Sequence, residues 1–279
     1  MTAALSIRRA RIVALCVLCA VLLAACDREP TIIPTRIASI EGLATADYLT
    51  AIAPPEGMRE RVSFPRIDDN LVFLSGWHSQ AAFRFEGNFA GTPRPASAET
   101  TLSTWYHQTG NQRRIVVQGA GDLFGEDAIP RREAVRLGGQ TFLLLDDECY
   151  GAADGDAALL ADLRIGDVLG GVALGVPAGE RRVLHGQQVW RYHFAPDSLN
   201  VPLVRLMDDG AITAVQGELW VARVAPNQNV VVRYYVNIAV ENAVLRLFEA
   251  SPPVSGVIQL RYDLYDVGIN PNITPPHGC

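Results

Sequence analysis

The sequence predicts a mainly β protein of the α+β class: one large curved antiparallel sheet, a half-barrel, covered by two or three helices. Three observations predict it. From about residue 80 onward apolar residues recur with period two, the signature of strands that bury one face. Short Gly and Asn turn signals separate these runs. No crossover helices lie between successive strands, which excludes a doubly wound parallel sheet. With 279 residues, 49% of them hydrophobic and 19% charged, the chain can bury a sizeable core and is neither disordered nor a disulfide-held mini-protein.

The amino terminus is built differently. Arg8, Arg9 and Arg11 precede an apolar run from Ile12 to Ala25, a charged region followed by a hydrophobic region of 14 residues. Crossing a bilayer core takes roughly 18–20 apolar residues, so a cleaved export signal over residues 1–25 is expected rather than a membrane span. The run ends in Leu23-Ala24-Ala25-Cys26, which resembles the bacterial lipobox; the alternative is an ordinary small-residue cleavage site with a chance cysteine. The resemblance implies that Cys26 is acylated and becomes the first residue of the mature protein. Each buried methylene contributes about 0.8 kcal/mol, so two or three acyl chains anchor a protein stably without a span. Asp27 follows, and by resemblance to enterobacterial sorting it implies retention at the outer face of the cytoplasmic membrane, within the bacterial cell envelope. Residues 26–40 form the lipidated cysteine and a tether, whose Pro30 and Pro34 favour an extended chain; an added edge strand is the alternative. Residues 41–279 are expected to form a single domain.

The elements of that domain follow in order. A helix is expected over Thr45–Ala53, before Pro54-Pro55. In the run from Ala81 to Phe89, Phe83, Phe85 and Phe89 fall on one side and Arg84, Glu86 and Asn88 on the other. Two strands between Thr101 and Gln118 turn about Thr109-Gly110-Asn111. Strands follow at Ala134–Leu137 and, after Gly138-Gly139, at Thr141–Leu145. A second helix is expected over Ala157–Leu169. After the His185-Gly186 turn, the strand to Phe194 places Trp190, Tyr192 and Phe194 on one face. A short helix is expected near Leu199–Met207. The last third holds longer strands: Leu219 and Val221 against Glu218 and Trp220, then Val230 to Val240, then Ile258, Leu260, Tyr262 and Leu264 against Gln259, Arg261 and Asp263.

Charge and cysteine usage narrow the partners. The 24 basic residues, all arginine, stand against 30 acidic ones; without residues 1–26 the balance is 21 against 30. An acidic chain lacks the basic footprint that nucleic acid requires, so no nucleic-acid partner is expected. Of five cysteines, Cys16 and Cys19 lie in the apolar run and Cys26 is the lipidation candidate. That leaves Cys149 and Cys279 as an even pair in an oxidising compartment, a candidate disulfide, with two unpaired thiols as the alternative.

Several stretches in this order resemble the lipid-carrier lipoproteins of the LolA/LolB and LppX/LprG type. They are Phe83-Arg84-Phe85-Glu86-Gly87, then Arg136-Leu137-Gly138-Gly139-Gln140-Thr141-Phe142, Glu180 to Phe194 with its Gly186 turn, Gly217-Glu218-Leu219-Trp220-Val221, and Gly256 to Val267. The resemblance implies a half-barrel closed by helices around an apolar cavity that holds an acyl chain or a whole lipid. Phe83, Phe85, Trp190, Tyr192, Phe194, Tyr234 and Tyr262 are the candidates for its lining; the alternative is that they pack as a full core.

Signs of chemistry are few. The mature chain contains no G-x-S-x-G, H-E-x-x-H or P-loop motif, so neither catalytic nor metal residues are assigned, no cofactor is expected, and the protein is expected not to be an enzyme. Gly119-Ala120-Gly121-Asp122 reads as a turn. Asp146, Asp147, Glu148, Asp154 and Asp156 form an acidic stretch that lacks EF-hand spacing and reads as a solvated cluster. His78, His107, His185, His193 and His277 are scattered. The sequence thus points to a lipoprotein whose partner is a lipid or another hydrophobic small molecule, with the membrane engaged through acylated Cys26. The alternative is a structural or sensor lipoprotein that binds an envelope protein partner.

Overall fold

The computed structural model describes residues 58, 60–124, 129–146, 148–151, 155–248 and 252–279, with the backbone alone at 129 and 130. These residues belong to the second of two compact units, Ile52–Cys279; the first is Met1–Ala51. The export signal, Cys26, the tether and the helix expected over Thr45–Ala53 lie outside the described residues.

Alternation of apolar and polar side chains produces long strands here. In chain order they are β1 (Val62–Phe64), β2 (Gly76–Phe89), β3 (Pro95–His107), β4 (Gln112–Ala120), β5 (Ile129–Leu137), β6 (Gln140–Leu145) and β7 (Glu148–Tyr150). Helices α1 (Gly155–Asp162) and α2 (Ile165–Leu169) follow, then β8 (Gly171–Leu184), β9 (Gln187–His193), β10 (Leu199–Asn200), β11 (Val204–Ala225), β12 (Gln228–Leu245) and β13 (Val254–Tyr265). The β8–β9 turn holds His185 at φ 50° and Gly186 at φ 78°, the pair of left-handed residues that a tight hairpin turn requires.

All pairings are antiparallel, and the order is β1-β8-β9-β11-β12-β13-β2-β3-β4-β5-β6-β7, with β10 also on β8. Two meanders, β2 to β7 and β8 to β13, are joined along the β13–β2 ladder. That ladder runs without a register shift from Val254 opposite Phe89 to Tyr265 opposite His78.

The expected curved half-barrel is not what forms. The sheet is open, ending in β1 on one side and β7 on the other, with no ladder between them. Bulges and glycine kinks bend strands, and although β8–β9, β11–β12, β12–β13 and β4–β5 carry register shifts, the β13–β2 and β2–β3 ladders between them run in unbroken register, so the bending is not carried through the sheet to join its edges. The helical cover also differs. The helix expected over Ala157–Leu169 is split into α1 and α2 because Arg164 is extended, at φ −97° and ψ 129°. The helix expected near Leu199–Met207 is instead β10 and the start of β11; Val201, Pro202 and Val204 favour extended backbone and disfavour a helix interior.

One face of the sheet carries the main core. Phe85, Ile258, Leu260, Tyr262, Tyr234, Val236, Ile238 and Leu219 are fully buried there, under a segment that contributes Ile67 and Leu71. A smaller cluster lies where α1 sets Ala157 and Ala161 on Ile115, Ala134 and Leu143 of β4, β5 and β6. The short edge strand β7 is tied to the carboxy terminus by a disulfide between Cys149 and Cys279, whose Cα atoms are 5.4 Å apart. A very short, cross-linked edge offers little backbone for pairing with another chain.

Candidate functional site

An apolar pocket lies on the same sheet face, between the two parts of its cover. Register places the floor. Ala81 of β2 is opposite Leu102 of β3, which is opposite Val117 of β4; one row on, Phe83 is opposite Thr100, which is opposite Gly119. Ala81, Thr100 and Gly119 are small, and the cover above them leaves space on this part of the face. The roof is Leu163 with Ile165, Val168 and Leu169 of α2, and Leu247 and Phe124 complete the lining. Gly119 matters to this shape. A Cβ there would stand 2.6 Å from Cζ of Phe124, so only glycine lets that ring lie on the strand. Phe124 then meets Phe248 edge to face at 4.6 Å, and Phe83 lies 6.0 Å from Phe248, closing one end with three aromatic rings.

The pocket has a volume of about 120 Å³, and Thr100 is the one polar side chain of its lining. A cavity of about 150 Å³ accepts benzene, whereas drug-sized ligands occupy roughly 300–1,000 Å³. A void of this size and polarity suits a few carbon atoms of an acyl chain, not a whole lipid. The lining loses dispersion contacts when no atoms fill it, and an apolar segment restores them.

Of the aromatic candidates, Phe83 lines this pocket. Phe85, Trp190, Tyr192, Tyr234 and Tyr262 are buried in the main core, and Phe194 is half-buried against Tyr234 at 6.3 Å. The Tyr192 hydroxyl donates to the Met58 carbonyl at 2.6 Å. Burial pushes the Tyr192 phenol up to about 12 and also raises Tyr234 and Tyr262 above the ordinary value. All three are neutral at pH 7. The residues that sequence reasoning did not single out are Ala81, Leu102, Val117, Phe124 and the α2 side chains. Their signal is the meeting of Ala81, Thr100 and Gly119 on adjacent strands, which becomes visible only with the cross-strand register.

The opposite sheet face carries a buried charge cluster. Asp263 of β13, 2% exposed, accepts hydrogen bonds from Arg233 Nε at 2.6 Å and Arg261 Nε at 2.8 Å. His185 Nε2 lies 3.0 Å from the same carboxylate, and its ring lies 4.0 Å from that of Tyr265. Burial alone would raise the Asp263 carboxyl, but hydrogen bonds from His185, Arg261 and Arg233 outweigh it and hold the group below the usual range. The β8–β9 hairpin therefore reaches across the sheet to β13. Its Arg182 and Arg191 also lie over the Trp220 ring at 5.1 and 6.0 Å, and Trp220 is 2% exposed although it stands on the charged side of β11. His78 stacks on Trp105 at 4.5 Å, and burial lowers its pKa.

Among the described residues no group of three or more His, Cys, Asp or Glu side chains is arranged to hold a metal; Asp147 and Asp154 of the acidic stretch lie outside them. Among the described residues no helix is long and apolar enough to cross a membrane. No protein-family model matches the chain, and no curated protein matches it. Among solved structures it is similar to LprF from Mycobacterium bovis, with 11% identity, coverage of 76% of this chain and 93% of that one, and a TM-score of 0.34. A likeness this loose carries no argument about ligand or mechanism.

Proposed function

We propose that the protein is a non-catalytic envelope lipoprotein that binds a hydrophobic ligand, with an acyl segment seated between Ala81, Leu102 and Leu169. The single observation that carries this reading is the apolar pocket between α2 and the sheet, lined by one polar side chain and roofed by a helix of five residues. The amino terminus supports the location: residues 1–25 as a removed export signal, Cys26 as the acylated anchor, residues 26–40 as a tether, and residues 41–279 as the domain it holds at the outer face of the cytoplasmic membrane.

A second reading, a lipoprotein that docks an envelope protein, draws on Val72 and Phe73, adjacent apolar side chains that are 62% and 59% exposed. Native mass spectrometry of the protein purified from a membrane-containing host separates the two. A bound mass that denaturation releases as lipid supports ligand binding. A bare protein mass, together with no uptake of a fluorescent fatty acid, overturns it in favour of the docking reading.

A further inference from the structure

A second pocket, of about 340 Å³, opens on the same sheet face and has charged side chains in its lining where the first has none. Register fixes their relation. Trp77 of β2 is opposite Tyr106 of β3, which is opposite Arg113 of β4. The next row on this face is Ser79, Thr104 and Ile115, and the one after it is Ala81, Leu102 and Val117, the floor of the apolar pocket. At roughly 3.3 Å per residue, the Trp77 row and the Ala81 row are about 13 Å apart. The Leu163-Arg164-Ile165 link spans both: Arg164 lines the polar pocket, and its two neighbours line the apolar one.

The charges around the polar pocket balance in number, but among the described residues Arg113 is the one without a carboxylate in direct contact. Asp68 accepts from Arg164 at 3.3 and 3.4 Å, which neutralises that pair, and Asp69 lies 3.8 Å from the same guanidinium. Arg113 has no carboxylate within 4.0 Å among the described residues. Its guanidinium donates to the Leu163 carbonyl, and its Nε is buried without a partner. Burial lowers its pKa against the pull of Asp68 and Asp162, but an arginine stays cationic. Three more buried polar atoms in these two rows lack partners: the Trp77 indole Nε1, Ser79 Oγ and Thr104 Oγ1. Those residues are 7%, 0% and 0% exposed, and buried donors left unpaired are destabilising. Of these, Trp77 lines the pocket with Arg113, and a forked guanidinium beside an indole donor matches the acceptor oxygens of a phosphate or carboxylate.

We propose that this pocket seats the anionic headgroup, phosphate or carboxylate, of an amphiphile whose tail enters the apolar pocket. The assignment rests on the proposed function for the tail and adds the chemistry of the head. Arg113 supplies a guanidinium with no carboxylate in direct contact, and Trp77 and Tyr106, stacked at 5.5 Å, form an aromatic wall beside it.

Calorimetric titration of the full chain, kept soluble in an uncharged amphipathic polymer, with decyl phosphate, decanol and inorganic phosphate tests this. Decyl phosphate is expected to bind at least about tenfold more tightly than decanol, the factor that one charge-assisted hydrogen bond supplies, and inorganic phosphate far more weakly than either. Arg113→Gln is expected to abolish the advantage of decyl phosphate over decanol. Equal affinity for decyl phosphate and decanol in the unaltered protein overturns the headgroup site and leaves the tail pocket standing. Inorganic phosphate binding as tightly as decyl phosphate overturns it in favour of a free-anion site. Failure of both amphiphiles to bind overturns the headgroup site together with the proposed function. The comparison in the unaltered protein decides the matter even where Arg113→Gln fails to fold.

Discussion

Replacing Ala81 with leucine fills the apolar pocket from its floor, and the consequence can be worked from the geometry. Ala81 is 7% exposed and lies between Leu102 and Tyr262 on the neighbouring strands. A void of about 120 Å³ at about 24 cal/mol per Å³ corresponds to roughly 3 kcal/mol of missing packing. Leucine adds three carbons, worth about 2.4 kcal/mol at about 0.8 kcal/mol each, less about 0.7 kcal/mol for its lost rotamers. The ligand-free protein is therefore expected to gain about 1.5 kcal/mol, seen as a higher midpoint in urea unfolding with the slope unchanged. In the same variant, uptake of a fluorescent fatty acid should fall at least tenfold. A variant that is destabilised by more than about 1 kcal/mol and still takes up the fatty acid would refute the reasoning, because the space would then be neither empty nor the seat of the chain.

Two further expectations concern the frame around the pocket. Replacing Cys149 and Cys279 together with alanine opens a loop whose ends are 130 positions apart; the chain-entropy argument sets a ceiling of about 5 kcal/mol, and a loss of about 2–5 kcal/mol is expected in urea. A loss below 1 kcal/mol would mean that the unfolded chain is already constrained. Asp263→Asn leaves Arg233 without its buried carboxylate. Because Arg261 is more than half exposed, the expected loss at pH 7 is about 2–3 kcal/mol. The Asp263 pKa is depressed on folding, so its contribution is complete above the unfolded value of about 3.9 and is lost as pH falls through the lower folded value. The variant should therefore show a flatter acid limb in its stability curve, and an unchanged limb would refute that origin.

Much of the sheet is legible in the sequence because alternation is local. The runs Ala81–Phe89, Val230–Val240 and Ile258–Leu264 declare their buried face within a few residues, and the Gly110-Asn111 and His185-Gly186 turns mark themselves by residues that tolerate positive φ. What alternation does not carry is closure, since an open and a curled sheet share the same period. Extended Arg164 and the strand at Leu199 escape for different reasons: Arg164 breaks a helical pattern that continues on both sides of it, whereas at Leu199 the local preference of Val201, Pro202 and Val204 for extended backbone outweighs the apolar spacing. The pocket is harder still. Its floor comes from single positions on three strands, and the bulky aromatics that attract attention fill space, whereas the void lies beside Ala81, Thr100 and Gly119. The Asp263 cluster joins residues 185, 233, 261 and 263 across the sheet, and no spacing along the chain announces it.

The β13–β2 ladder has a consequence for assembly in time. Its partners, Phe89 and Val254 at one end and His78 and Tyr265 at the other, are among the most separated pairs in the chain. Each meander can zip from its own turns as soon as it is made, but β2 stays an edge until the last strand arrives. During synthesis from the amino terminus, Phe83 and Phe85 then wait beside an unpaired backbone for most of the chain's production, and the pocket floor that β2 shares with β3 stands without its neighbour. Long-range pairing of this kind slows folding and leaves the intermediate open to aggregation. The union of its two halves is therefore the expected slow step, and a holding factor that shields β2 until residue 254 emerges is expected to raise the yield.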